Sequence, residues 1–178
     1  MTELRVRQAI SSDISEIVAF DHGYSTDHVW QMGFQNGQGE VEVRFREVRL
    51  PRPMRVRYPR QPEALIDSWT EKQVVLVAEF GETRTGYLTI IAGPSPGSAW
   101  ITDLAVDLRH RRQGHASGLL QTARVWAGER GYRRLFLEMQ SKNFPAIALA
   151  RKLGFSFSGY SDHYFPDGDI ALFFVQDI

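Results

Sequence analysis

The chain has 178 residues, 43% of them hydrophobic, with eleven Phe and four Trp, and this is ample for the core of a single domain over residues 1–178. Basic and acidic residues balance at 21 each, so no global field favours nucleic acid or an anionic membrane. Cysteine is absent, which excludes disulfides, a thiol nucleophile and Cys-ligated metal and suits a cytoplasmic location. No apolar run approaches the roughly 20 residues that span a bilayer, and the N-terminus reads without a signal-peptide core. The five histidines show no metal-ligand spacing.

In chain order, Leu4 to Ala9 reads as an edge strand. Ser11, Ser12 and Asp13 offer N-caps to a short helix with Ile14, Ile17, Val18 and Phe20 inward, broken at Gly23. His28 to Phe34 and Glu40 to Val48 read as two strands of a hairpin turning at Asn36-Gly37. The second alternates Val41, Val43 and Phe45 against Glu42, Arg44 and Arg46. Pro51, Pro53 and Pro59 then demand an extended, ladder-poor segment. Seven arginines fall between residues 44 and 60: Arg44, Arg46, Arg49, Arg52, Arg55, Arg57 and Arg60. They make a polyanion strip, or a solvated face partly paired with Glu40, Glu42 and Glu47, or a set reaching cofactor phosphates or an acidic acceptor. The neutrality of the whole chain favours the solvated face.

Pro62 to Thr70 reads as a short helix, Val74 to Phe80 as a buried strand, and Gly86 to Ala92 as its hairpin partner. A central strand, Ile101 to Val106, leads into a helix with Leu119, Leu120, Ala123, Trp126 and Ala127 on one face, stopped by Gly131. Arg134 to Met139 is another strand. Asn143 caps a helix carrying Pro145 in its first turn, with Gly154 as terminator. Ser156 to Tyr164 and Asp169 to Gln176 close the chain as a hairpin. This order implies an α+β protein, a mixed sheet with helices packed on it.

The stretch from Trp100 to Leu120 carries the chemistry. A strand feeding a turn that starts a helix leaves backbone N–H groups unpaired at the helix N-terminus. Those donors, the helix dipole and the nearby Arg109, Arg111 and Arg112 favour an anion, above all a phosphate. The Walker spacing is absent, and a dinucleotide fingerprint needs three glycines at set offsets, whereas only Gly114 and Gly118 are present with Ala116 between. What stands here is Arg-x-x-Gly-x-Ala, Arg111 through Ala116, and it resembles motif A of the GNAT acetyltransferases. A second hallmark of that family is matched by Asn143, Ala146, Ile147, Leu149 and Gly154-Phe155. The resemblance covers roughly Val74 to Gln176. The closing segment is similar to that of small-molecule members, streptothricin-type acetyltransferases among them.

The resemblance implies the GNAT fold, a mostly antiparallel central sheet flanked by helices, with residues 21–70 as a variable hairpin excursion on the acceptor side. It implies acetyl-CoA as co-substrate and an amine acceptor. The amides of Arg111, Arg112, Gln113, Gly114, His115 and Ala116 would hold the pyrophosphate. Leu104, Ala105 and Val106 would lie beside the pantetheine arm, which Asn143 would also contact. His115 would offer only its amide.

Acetyl transfer needs a neutral amine, whereas an aliphatic ammonium has a pKa near 10, so a base is required. Glu138 matches the strand glutamate that some family members use. A mid-strand acid among apolar residues is either a desolvated base or half of a buried ion pair. Asp103 is the rival base, with a salt bridge to an arginine as its alternative role. A backbone N–H near Val106 would stabilise the oxyanion. The family tyrosine that protonates the leaving thiolate is replaced by Ala150, leaving Tyr160 or Tyr164 to substitute or to serve as packing. The excursion is expected to narrow the cleft for a small amine, with Trp30 and Asp27 near its mouth. A protein N-terminus or lysine as acceptor, and a non-catalytic acyl-CoA sensor, stay open. Exposed sheet edges leave room for a homodimer.

Overall fold

The strands pair in the order β1-β4-β5-β6-β7-β9-β8 in a computed structural model that describes residues 3–178. These are β1 (Leu4–Gln8), β4 (Val74–Phe80), β5 (Thr83–Ala92), β6 (Ser98–Val106), β7 (Arg134–Gln140), β8 (Ser156–Ser161) and β9 (Ala171–Asp177). Only β6 and β7 run parallel; the other neighbours are antiparallel. Among the described residues four α-helices accompany the sheet: α1 (Ser11–Val18), α2 (Leu65–Ser68), α3 (His115–Glu129) and α4 (Phe144–Lys152). A separate hairpin is made of β2 (Tyr24–Gly37) and β3 (Glu40–Val56). This is the expected α+β architecture with its excursion after the first helix. No helix among the described residues is long and apolar enough to cross a membrane.

Strand periodicity divides the core between the two faces of the sheet. Val74, Leu76 and Ala78 of β4 join Leu119, Leu120, Ala123 and Ala127 of α3, with Ile147 and Ala150 of α4 in the same cluster. The alternate residues Val75 and Val77 meet Ile14, Ile17 and Val18 of α1 and Leu65 of α2. β4 therefore buries both sides, which explains why it reads as a continuous apolar run.

The first helix starts differently from the sequence expectation. Ile10 occupies the N-cap position, and Asp13 at the third helical residue accepts the Ile10 N–H at 2.8 Å, so Ser11 and Ser12 are not caps. The helix also stops at Val18, well short of Gly23. Asp13 is fully buried and accepts from Arg7 at 2.7 and 3.0 Å and from Arg84 at 2.8 Å. These donors hold its carboxyl far below the ordinary range despite burial. A depressed carboxyl stabilises the fold above its unfolded pKa and loses that contribution as pH falls through the folded value. Asp13→Asn strips two arginines of their shared anion. It is expected to lower stability by about 3 kcal/mol at neutral pH, with a smaller deficit in acid, measured by urea unfolding.

The hairpin turn lies two residues beyond the expected one. Gln38 (φ 52°) and Gly39 (φ 79°) form the two-residue loop, Gly37 pairs with Glu40, and Asn36-Gly37 stays inside β2. Two consecutive positive φ angles suit the tight hairpin turn that matches strand twist. The proline expectation holds in its physical content. β3 is extended through Pro51 and Pro53, yet residues 50–53 have no ladder partner, because the register slips between Thr26 and His28.

Trp30 is not at the mouth of a cleft. Its ring packs against Phe45, Phe157 and Phe174 at 5.6–6.3 Å between centroids, and the Trp30 backbone N–H donates to the Ser141 carbonyl at 2.9 Å. Trp30 thus fixes the excursion to β9 and to the segment after β7. Asp27 stays largely exposed beside His28.

Candidate active site

The parallel ladder between β6 and β7 is short. It runs from Ser98–Arg134 to Ile101–Leu137 and stops. Beyond that point residues 102–106 of β6 have no partner on the β7 side, while β7 continues against β9 as far as Gln140–Ala171. A V-shaped split results, and it opens toward the turn that begins α3. Leu104, Ala105 and Val106 lie along its β6 edge.

That turn is built to leave amides exposed. Asp107 accepts the Arg109 N–H at 3.1 Å and starts a short 3-10 turn, Leu108–His110. Arg112 (φ 64°) and Gly114 (φ 91°) then take left-handed conformations. Gly114 is the N-cap of α3 and gives it no side-chain cap, so the first helical amides keep their hydrogen-bonding capacity. A Cβ at Gly114 would meet no atom within 4 Å, so the space over those amides is open.

The side chains of the turn divide the work differently from the sequence expectation. The Arg111 guanidinium is turned inward, donating to the carbonyls of Val106 (2.9 Å), Gly23 (2.8 Å) and Asp21 (2.6 Å), and so ties the turn to the end of α1's connection rather than facing an anion. Arg109 leans on Asp107. Arg112 and Gln113 remain exposed, and Gln113 reaches back to the Arg109 carbonyl at 2.9 Å. His115 is buried against the Thr85 hydroxyl at 2.6 Å; burial and the neighbouring His110 lower its pKa and keep it neutral. Its imidazole is thus withdrawn from solvent, and Ala116 follows half-buried. Gly86 supports this region from β5. A Cβ there would lie 2.9 Å from the Ala105 carbonyl oxygen and 3.2 Å from Leu119. Gly86→Ala should therefore displace the free edge of β6, with a stability loss of about 1–3 kcal/mol in thermal melts and weaker acetyl-CoA binding by calorimetry.

Both candidate acids sit just past the parting of the strands. Glu138 follows the last β7 residue that pairs with β6, and its side chain is 1% exposed. It is ion-paired with Arg60 and accepts the Tyr164 hydroxyl at 2.9 Å. Burial raises its pKa, with Arg60 and then Tyr164 opposing the rise. Glu138 is therefore both of the expected alternatives, a desolvated carboxyl and an ion-pair partner. Asp103 on β6 has no arginine salt bridge among the described residues. It accepts instead from the hydroxyls of Tyr58, Thr89 (2.7 Å) and Thr102 (3.2 Å).

The two tyrosines separate cleanly. Tyr164 lies outside β8, which ends at Ser161, because Asp162–Asp169 folds as a turn in which the Tyr164 and Phe165 N–H groups donate to the Asp169 carbonyl. That turn delivers its hydroxyl to Glu138. Tyr160 packs edge-on to Phe45 at 5.3 Å, part of the cluster that seats the excursion. Asn143 caps α4 by accepting the Ala146 N–H at 3.2 Å, and Ala150 is completely buried in the core.

Tyr58, Arg60, Tyr24 and Gln140 were not singled out by the sequence. Tyr24 donates to Gln140 at 2.8 Å, and Gln140 donates to Asp169, which Lys142 also contacts at 2.6 Å. This chain of bonds links the excursion, β7 and the β8–β9 turn around the acids. His22, kept neutral by burial, bonds Tyr87 at 2.9 Å and lies 5.2 Å from the Tyr58 ring.

A sheet split between two parallel strands, leading to a glycine-opened helix N-terminus, is the architecture of an acyl-CoA N-acyltransferase. The chain belongs to the acetyltransferase (GNAT) family, which it matches over residues 44–155. It is an acetyltransferase that uses acetyl-CoA. Streptothricin acetyltransferase of Streptomyces lavendulae is 28% identical over 182 residues, covering 94% of this chain and 91% of that protein. The crystal structure of nourseothricin acetyltransferase is similar with a TM-score of 0.82 and 25% identity over 99% of both chains. A Bacillus anthracis protein crystallised with acetyl coenzyme A shares the fold, with a TM-score of 0.76 and 18% identity over 99% of this chain and 100% of that one.

Proposed function

We propose that the protein acetylates a primary amine of a small molecule by direct attack of the amine on the thioester of acetyl-CoA. The observation that carries this reading is the position of Glu138, buried yet bonded to Tyr164, at the first step where β6 and β7 part. The acceptor ammonium gives its proton to Glu138, directly or through water. Burial narrows the pKa gap between acid and base, which favours the transfer. The freed amine attacks the thioester carbonyl, and a backbone N–H of β6 near Val106 stabilises the oxyanion. Collapse expels the thiolate, which takes the Tyr164 proton. That hydroxyl stays protonated until then because burial and Glu138 raise its pKa; the tyrosinate takes the second proton from the N-protonated amide, and Glu138 releases the first to solvent. Asp103 orients the acceptor from the opposite strand, while Tyr160 remains a packing residue.

Acetyl-CoA fits the split through the chain's backbone. The amides from Arg111 to Ala116 hold the pyrophosphate over the open Gly114, Leu104 to Val106 flank the pantetheine arm, and Asn143 reaches it from the start of α4. A small acceptor is supported by the enclosure of the acids. Tyr58 and Arg60 close on them from the excursion and Tyr164 from the β8–β9 turn. The likeness to the Streptomyces relative, which spans the excursion as well, puts streptothricin first among acceptors. Thiol release from acetyl-CoA should be followed with streptothricin, aminoglycosides, spermidine and short peptides. Turnover of the small amines is the expected result; turnover of peptides alone would reverse the substrate class, and binding of acetyl-CoA with no turnover of any amine would mark a sensor.

A further inference from the structure

Arg60 stands apart from the other arginines of its segment. Arg44 and Arg55 are paired with exposed surface acids, Glu42 at 2.6 Å and Asp21 at 2.5 Å. The Arg60 guanidinium instead spans the split. One nitrogen donates to the Thr102 carbonyl of β6 at 2.7 Å, another pairs with Glu138 of β7, and the cationic carbon lies 5.2 Å from the centre of the Phe165 ring. Thr102 is the first β6 residue without a β7 partner, and Glu138 the first β7 residue without a β6 partner. The planar fork of an arginine matches a carbonyl and a carboxylate at such spacing, which a lysine point charge does not.

We propose that Arg60 is a positioning residue for acetyl transfer, which bridges the parted strands and keeps Glu138 ionised and aimed into the split. This rests on the reading of Glu138 as the base. The groups facing Glu138 are Arg60 from the segment after the excursion, Tyr164 from the β8–β9 turn and Asp103 from β6, with the Tyr58 hydroxyl on Asp103. Asp103 and burial both push Glu138 toward the protonated form, and Arg60 is the only cation among these groups to oppose them. Its charge acts on the acceptor as well: an ammonium approaching Glu138 meets a like charge, which favours loss of its proton. Both effects have the same sign, extending activity toward lower pH. The variable excursion thus ends by supplying part of the reaction centre, which couples the acceptor-side insertion to the chemistry.

The test compares Arg60→Met and Arg60→Lys with the unaltered enzyme, using kcat/KM for the best amine from pH 5.5 to 9.5, with and without added guanidinium chloride at tens of millimolar. In Arg60→Met the acid limb should move to higher pH. The rate at the acid end should drop on the order of tenfold more than at the alkaline end. Guanidinium should restore part of the acid-side loss. Arg60→Lys keeps the charge and should fall between the two, and it serves as the reporter if Arg60→Met does not fold. Acetyl-CoA affinity, read by calorimetry, should be unchanged. In a Glu138→Gln background, Arg60→Met should no longer shift the limb. A loss uniform across pH, or no rescue together with an unmoved limb, overturns the proposal. If Glu138→Gln alone leaves the profile intact, the base reading itself is wrong, a separate result from failure of Arg60.

Discussion

Glu138→Gln should lower kcat/KM for amine acetylation by on the order of 10²–10⁴, the range a positioned general base supplies, while leaving acetyl-CoA affinity as it is. Glutamine keeps the volume and can still accept from the Tyr164 hydroxyl, but it cannot take a proton. The pH profile is the sharper readout. A carboxyl with a raised pKa is lost as a base when pH falls through that raised value, so the intact enzyme should show an acid limb above the ordinary carboxylate range. Glu138→Gln should abolish that limb along with most of the rate. Asp103→Asn should cost less, because the side chain keeps its place among the hydroxyls of Tyr58, Thr89 and Thr102. If Asp103→Asn removes the limb and Glu138→Gln does not, the two acids have exchanged roles.

The turn before α3 was legible because its information is local. Arg-x-x-Gly-x-Ala on a strand-to-helix junction prescribes a left-handed glycine and open amides within a few residues, and Gly114 has them. The face of α3 was legible for the same reason, since Leu119, Leu120, Ala123 and Ala127 repeat at helical spacing and are buried. The role of Arg111 was not, because the carbonyls of Gly23 and Asp21 that capture its guanidinium come from far away in the chain. Arg60 was hidden among seven arginines whose sequence context is similar; only the folded path past Pro59 turns it inward. The alternation around Phe45 identified the hairpin, but not what covers it. Trp30 reads equally well as a cleft residue or as a wedge, and contact with Phe157 and Phe174, more than 120 residues later, makes it a wedge. Asn36-Gly37 carries the stronger turn composition, yet the pairing of Phe34 with Val43 and Gly37 with Glu40 places the loop at Gln38-Gly39. Tertiary register decided between two locally acceptable turns.

The largest effect on co-substrate binding is expected from Gly114→Val. At φ 91° a β-branched residue is strained by about 1–3 kcal/mol, and its methyl groups would enter the open space over the first amides of α3. Strain alone would lower stability without informing on the ligand, so a matched control is needed. Gly131 supplies it, with φ 77°, no atom within 4 Å of a Cβ, and a place at the opposite end of α3. Gly131→Val should lose comparable stability in urea and still bind acetyl-CoA normally. Gly114→Val should raise the acetyl-CoA dissociation constant at least about tenfold, because the diphosphate loses backbone donors that no side chain can replace at that point. Pantetheine, which lacks the diphosphate, should bind both variants and the intact protein equally weakly. Equal acetyl-CoA affinity in the two valine variants would mean that the pyrophosphate does not rest on the Arg111–Ala116 turn, and the placement of the thioester beside Glu138 would fall with it.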